Sequence, residues 1–188
     1  MSAPRTSKDT PAPNLRPITR FVTTHREDGK AVVHATKTPD WQVLSDGMAF
    51  NLIYTTSEFP PQMTDEKDIR AHEELSRAGT GLVNKGGSVC RVVDFGPGTE
   101  PVMHRTKSLD YGVVLEGEVE LVLDSGETRR MGRGDICVQR ATMHAWRNRS
   151  ETEWVRMLYV LTPCEPFETA AGTTEEDLGP MEGVRTST

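Results

Sequence analysis

Cysteine is scarce in this chain: the 188 residues hold three, Cys90, Cys137 and Cys164, far apart and with no C-x-x-C pair. That argues against a disulfide framework and against a thiolate zinc site, and it predicts reduced thiols in an intracellular protein. Basic excess is lacking too. A net charge of −6 and a pI near 5.4 leave no footprint for nucleic acid or for an anionic membrane, so neither is expected as a partner. No apolar run approaches the roughly 18 residues that a membrane span needs, and the opening MSAPRTSKDTPAPN has no apolar stretch of the signal-peptide kind. A cytoplasmic protein is the expectation. Residues 1–15 hold almost no large apolar side chains, cannot offset the entropy of ordering, and predict a disordered tail.

From Arg16 the pattern changes. RFVTTH and KAVVHAT flank REDG, whose Asp28-Gly29 supplies the positive φ angles of a tight hairpin turn. GMAFNLIYTT, residues 47–56, reads as a further strand. After the Phe59-Pro60-Pro61 break, DEKDIRAHEELSRAG predicts one helix, with Thr64 and Asp65 as cap candidates and Gly79 closing it.

Beyond Gly87 the chain is strand and turn almost throughout: SVCRVVDF, a Glu116-Gly117-Glu118 turn, EVELVLD with a hairpin into ETRRM, then DICVQ, HAWRN and EWVRMLYVL. The last is long and apolar enough to be central. Consecutive Val113, Val114 and Leu115 predict cover on both faces. After Pro163, six acidic side chains against Arg185 mark residues 165–188 as a tail or surface strap. Such punctuation fits a sandwich, an up-and-down barrel or a jelly roll, and periodicity alone does not choose among them.

Two segments carry the chemistry. On a strand, His104, Thr106, Ser108 and Asp110 share one face, and His144 shares one with Trp146 and Asn148, so one pocket can collect both sets. Arg105 and Lys107 then face away. His25, His34 and His72 show no ligand spacing and read as structural. Glu118 and Glu120 read as ordinary solvated positions, and Tyr111 and Tyr159 as core or interface aromatics. For His104 and His144 the plain alternative is a buried histidine satisfied by a nearby acceptor; for Asp110 it is an ion pair with Arg91 or Arg105.

In order and spacing, Gly98, His104, Thr106, Asp110 and Gly117, then Gly134, His144 and Asn148, resemble the two signatures of the cupin family, G-x5-H-x-H-x3/4-E-x6-G and a second ending in H-x3-N. MHRTKSLDYGVVLEGEVELVLDSGE and VQRATMHAW are similar to a single-domain, Cupin_2-type fungal subgroup associated with secondary metabolism. The resemblance runs from about residue 16 to 163. It implies an all-β fold: a cupin jelly-roll β-barrel over 87–163, N-terminal strands and one short helix over 16–86 packing on the barrel or a dimer partner, and an acidic tail over 164–188.

The resemblance also implies a metal pocket, with departures. Thr106 stands where metal-binding cupins place a second histidine, Asp110 where they place Glu, and the second motif is one residue short and lacks its proline. His104, Asp110 and His144 remain as ligands for one divalent ion, Zn, Mn or Fe, or for none. The expected roles are His144 moving a proton, Asp110 orienting it or acting as the complementary acid, His104 binding metal or polarising a carbonyl, and Thr106 and Trp146 contacting substrate. The expected activity is lyase or isomerase chemistry (decarboxylation, dehydration, isomerisation or cyclisation) on a small, oxygenated, polyketide-like molecule. The alternatives are an Fe-dependent dioxygenase and a non-catalytic ligand-binding cupin. A homodimer formed through the strands before Gly87 is expected, since pairing hides an open sheet edge.

Overall fold

Side chains alternate between the two faces of each strand, and two sheets close over the inward-facing set. The structure, a computed structural model, describes residues 5–7, 12–45, 47–170, 172–181 and 184–187. In chain order the first strands are β1 (Arg5–Ser7), β2 (Arg20–His25), β3 (Ala31–Lys37), β4 (Trp41–Ser45) and β5 (Met48–Thr56), followed by helix α1 (Lys67–Ala78). Then come β6 (Ser88–Phe95), β7 (Ser108–Glu116), β8 (Glu118–Leu123), β9 (Thr128–Gly132), β10 (Ile136–Arg140), β11 (His144–Arg147), β12 (Val155–Pro163), β13 (Glu168–Thr169) and β14 (Gly172–Thr173).

The larger sheet runs β1-β4-β5-β6-β12-β7-β10 and the smaller β11-β8-β9, with β2-β3 and β13-β14 as separate hairpins. The apolar β12 is central, as its composition predicts. Between the sheets lies a core that draws Val93, Val114, Met157 and Leu161 from the larger one and Val119, Met131 and Trp146 from the smaller. This is the jelly-roll barrel expected from the resemblance. The Glu116-Gly117-Glu118 turn, at Gly117 φ 80°, is a corner that carries the chain from one sheet to the other. Gly112 has a packing reason of its own, because a Cβ there would come within 3.1 Å of the Tyr159 ring.

Both faces of the larger sheet are covered, as the Val113-Val114-Leu115 run predicts. On the outer face Trp41, Ala49 and Val92 are fully buried, with Ile18, Leu115 and Leu158 packed against them. The same face holds a buried ion pair. Directly opposite each other on β6 and β12, Asp94 and Arg156 make two 2.7 Å bonds, Nε to Oδ1 and Nη2 to Oδ2. The guanidinium also lies 5.1 Å from the Trp41 ring and donates Nη1 to the Arg16 carbonyl at 2.6 Å, which ties the N-terminal segment onto the barrel.

Several expectations change. Helix α1 starts at Lys67 after a 3-10 turn (Thr64–Glu66); Glu66 is its N-cap, with no side-chain cap bond, so Thr64 and Asp65 do not cap it. Gly79 does close it, its N–H reaching the Leu75 carbonyl at 2.9 Å. Glu120 is buried, because its register opposite Arg147 gives it Arg147 at 2.8 Å and Arg149 at 3.1 Å. His72 is buried and structural: its Nε2 lies 2.9 Å from Arg20 Nη1, and its Nδ1 accepts from the Thr55 backbone N–H at 3.2 Å and lies 3.0 Å from the Thr55 hydroxyl. Of residues 1–15, expected as a tail, 1–4 and 8–11 lie outside the described residues, Arg5–Ser7 pairs with β4, and Ala12 is buried. Strand β4 itself was not legible in the sequence. No helix among the described residues is long and apolar enough to cross a membrane.

Breaking a buried pair leaves one charge uncompensated. Arg156→Ala is therefore expected to lower the unfolding free energy by about 3–5 kcal/mol, read as a fall in the urea midpoint; a change no larger than that of an exposed arginine such as Arg133→Ala would contradict this role.

Candidate functional site

Backbone pairing brings the two motif histidines together. The His104 N–H donates to the His144 carbonyl at 2.8 Å and the His144 N–H to the His104 carbonyl at 2.9 Å. A directly opposed pair projects both side chains to the same side of the sheet, and the rings lie 4.3 Å apart, tilted by 47°. Each ring is fixed in the same way. Nδ1 of His104 is 2.9 Å from the Val102 carbonyl, and Nδ1 of His144 is 2.9 Å from the Thr142 carbonyl. A carbonyl only accepts, so the proton of each neutral ring sits on Nδ1 and each Nε2 keeps its lone pair. Burial pushes the His144 pKa down to about 3, with neighbouring His104 adding to the effect, and burial lowers His104 as well.

These rings line an apolar pocket with about 620 Å³ of empty space, counting its open mouth. Met48, Phe50, Leu82, Val93 and Phe95 form one side; Trp146 packs edge-on to His144 at 5.6 Å and also faces the pocket. Asp110 and Thr106 complete the polar wall. The Thr106 hydroxyl accepts from Ser108 at 2.8 Å and donates to Asp110 Oδ2 at 3.3 Å, while Oδ1 is buried without a partner. Burial raises the Asp110 carboxyl to about 6, against the hydroxyls of Ser108 and Thr106 and the charge of Arg91, which pull it down.

All five of His104, Thr106, Asp110, His144 and Trp146 therefore reach one pocket. Asn148 does not join them: its Nδ2 ties down the carbonyls of Phe95, Gly96 and Glu153 at 2.8–3.1 Å, a structural knot at the base of a loop. Arg105 and Lys107 face away, both held by Glu175 of the C-terminal segment. That segment is a strap: Asp177 pairs with Arg105, and Leu178 and Met181 pack on the core, with Met181 on the pocket wall.

A metal site is only half assembled. Two Nε2 lone pairs and an orphaned carboxylate oxygen are suitable donors, yet among the described residues no three of His, Cys, Asp and Glu come together so as to hold an ion. The expected His104, Asp110 and His144 ligand set is thus a histidine pair with the carboxylate turned toward Thr106. Among the pocket residues that the motifs did not mark are Arg91 and Met181. Arg91 carried a readable signal, as a cation in the inward register of Val89, Val93 and Phe95; Met181, in the acidic C-terminal stretch, carried none.

The model of the family described as a cupin domain, Cupin_2, matches residues 91–161. Phomopsin biosynthesis cluster protein D of Diaporthe leptostromiformis is 46% identical over 165 residues, 86% of this chain and 87% of that protein. The chain belongs to the cupin superfamily. Within it, the relatives are of the fungal secondary-metabolism kind. The cupin-domain-containing oxidoreductase virC of Hypocrea virens is 42% identical over 161 residues, 84% of this chain and 81% of virC. A solved structure, KdgF from Halomonas sp., aligns with a TM-score of 0.44 at 20% identity over 67% of this cupin and 87% of that chain.

In this cupin the His144 ring is expected to stay unprotonated from pH 7 down to about 4, with its proton on Nδ1. Long-range ¹⁵N–¹H NMR correlations of the ring read both properties; an Nε2–H tautomer, or titration near the ordinary value of 6.5, would contradict the arrangement.

Proposed function

We propose that this cupin is a cytoplasmic enzyme that moves protons on a small, oxygenated, polyketide-like metabolite without redox chemistry, in a decarboxylation, dehydration, isomerisation or cyclisation. What carries this reading is the facing pair of neutral imidazoles with free Nε2 lone pairs, in the same apolar pocket as a carboxyl poised near 6. A buried, neutral imidazole is a base in a place where water does not compete, and a carboxyl shifted toward neutrality gives and takes a proton at working pH.

In this reading His144 Nε2 takes a proton from the substrate, His104 beside it shares the resulting charge, and Asp110 Oδ1 supplies the complementary proton. The Thr106 hydroxyl positions Asp110; Trp146 is the apolar face for the substrate. One assignment from the resemblance is revised. Polarising a carbonyl needs an N–H at Nε2, and His104 has committed its proton to Val102 through Nδ1, so the neutral ring acts as an acceptor. The names of relatives such as the phomopsin cluster protein support a secondary metabolite as substrate.

The name of virC favours a second reading, redox chemistry, which for this chain calls for an iron held by His104 and His144 with Asp110 turned from Thr106. One experiment separates the two. Purified protein is given the metabolite that accumulates when its gene is disrupted, in D₂O, with oxygen uptake followed and bound metal measured. Deuterium at a product carbon without oxygen consumption is expected, and His144→Ala or Asp110→Asn is expected to lower turnover about 10²–10⁴-fold with an unchanged circular dichroism spectrum. Oxygen uptake matched to product, with stoichiometric iron, would establish the redox reading instead. Tight binding without turnover would leave a ligand-binding module.

We also propose a homodimer. Strands β4 and β5 extend the chain's own sheet, which leaves the β2-β3 hairpin, with Phe21 64% and Val33 57% exposed, as the surface for it. Light scattering is expected to give twice the chain mass of 20.9 kDa, and Phe21→Glu to shift it toward the monomer; a monomeric wild type at micromolar concentration would contradict it.

A further inference from the structure

Arg91 is the cation on the wall of the histidine pocket, and its charge has no partner of opposite sign in contact. It stands on the inward face of β6, with the guanidinium 5.3 Å from the Phe50 ring, and is 7% exposed. Its Nη2 donates to the Gly81 carbonyl at 2.6 Å and more weakly to Leu82 at 3.5 Å; its Nε is buried with no hydrogen-bond partner. Among the described residues, no carboxylate lies within 4.0 Å of it. The acidic groups on the same wall are Asp110, which feels the charge through space and points Oδ2 at Thr106, and Glu100, which is exposed.

An arginine does not shed its charge in a protein, and a buried ion without a counter-ion is costly unless something completes its solvation. Burial lowers the Arg91 pKa only to about 10, which leaves it cationic at neutral pH. The pocket around it is mostly apolar, and the one buried carboxylate there, Asp110, acts on it through space without touching it. A guanidinium with an edge N–H to spare is matched by a planar anion with two oxygens, which can take two parallel charge-assisted bonds.

We propose that Arg91 is the anion anchor of this pocket and that the ligand is a small organic acid whose carboxylate docks on the Arg91 guanidinium while its apolar body lies between Phe50 and Trp146, beside the histidine pair. This rests on the pocket being the substrate site. It goes further in fixing the substrate class as acidic and its orientation as acid end on Arg91.

The test is binding, with probes of one shape and two charges: benzoate and salicylate against benzamide and salicylamide, titrated calorimetrically into the wild-type protein at pH 7. The carboxylates are expected to bind about tenfold or more tighter than their amides. In Arg91→Met, which keeps an unbranched apolar stem and loses the charged head, that preference is expected to collapse to parity, and Arg91→Lys to retain part of it. Because Arg91 also ties the Gly81 carbonyl, the methionine variant can fail to fold; the wild-type comparison decides the matter without it. Amides that bind as tightly as carboxylates, no saturable carboxylate binding at all, or a preference that survives Arg91→Met would each overturn the proposal. The readout requires no turnover, so it fails separately from the proton-transfer reading: a protein that prefers the carboxylates and turns nothing over keeps the anchor and loses the enzyme.

Discussion

The reciprocal pair of backbone hydrogen bonds between His104 and His144 is the constraint on which the site depends. It joins a segment lying just before β7 to β11, and so adds a rung to the smaller sheet. Because side chains alternate along a strand, a slip of one residue would send one ring to the opposite face of the sheet and dismantle the pocket. The same pairing places Arg105 outward, where Asp177 bonds it on the next rung, so the C-terminal strap is held by the register that aligns the rings. The carbonyls of Val102 and Thr142 then fix the tautomers. Ring position and proton position alike are set by main chain, which no single side-chain change outside the pocket abolishes.

The larger sheet treats its charges in two ways. On the outer face the Asp94 and Arg156 side chains neutralise one another in two short bonds, and the cost of burial is offset where it arises. On the inner face Arg91 and Asp110 stand in one cavity without contact: the guanidinium keeps an idle Nε and the carboxyl an idle Oδ1. Two unmet polar groups, both inside and both on one pocket, are a local loss of stability that a folded core does not require. Unpaired buried polar groups that converge on one cavity are where binding and chemistry concentrate.

Much of this was legible in the sequence, for physical reasons that differ from residue to residue. Alternation in EVELVLD and the length and apolar content of EWVRMLYVL identified a hairpin and a central strand, because burial on one face or on two leaves a different pattern. The resemblance carried by His104, His144 and their turn glycines implied the barrel and the two rings that meet. Strand β4 was missed because TPDWQVLS is short, and the burial of Trp41 depends on a neighbouring strand and not on its own periodicity. Asn148 was misplaced because parity says which face a residue shares and not where its strand ends; β11 stops at Arg147, and beyond it Asn148 serves loop carbonyls. Glu120 read as solvated because its partners, Arg147 on β11 and Arg149 just beyond it, are brought alongside only by the fold.

The tautomers also decide how labour divides within the pocket. With both imidazole protons held by backbone carbonyls, neither neutral ring has an N–H to offer at Nε2, so the histidine pair accepts protons and cannot stabilise a developing oxyanion. In the proposed reaction that task would fall to the Arg91 guanidinium and to the Asp110 carboxyl when protonated, a form that burial favours. In that reading base and oxyanion stabiliser would come from different parts of the barrel, the imidazoles from the rung between His104 and β11 and the donors from β6 and β7 of the facing sheet. A substrate lying between the sheets meets both at once, and the apolar wall between them keeps water from competing with either.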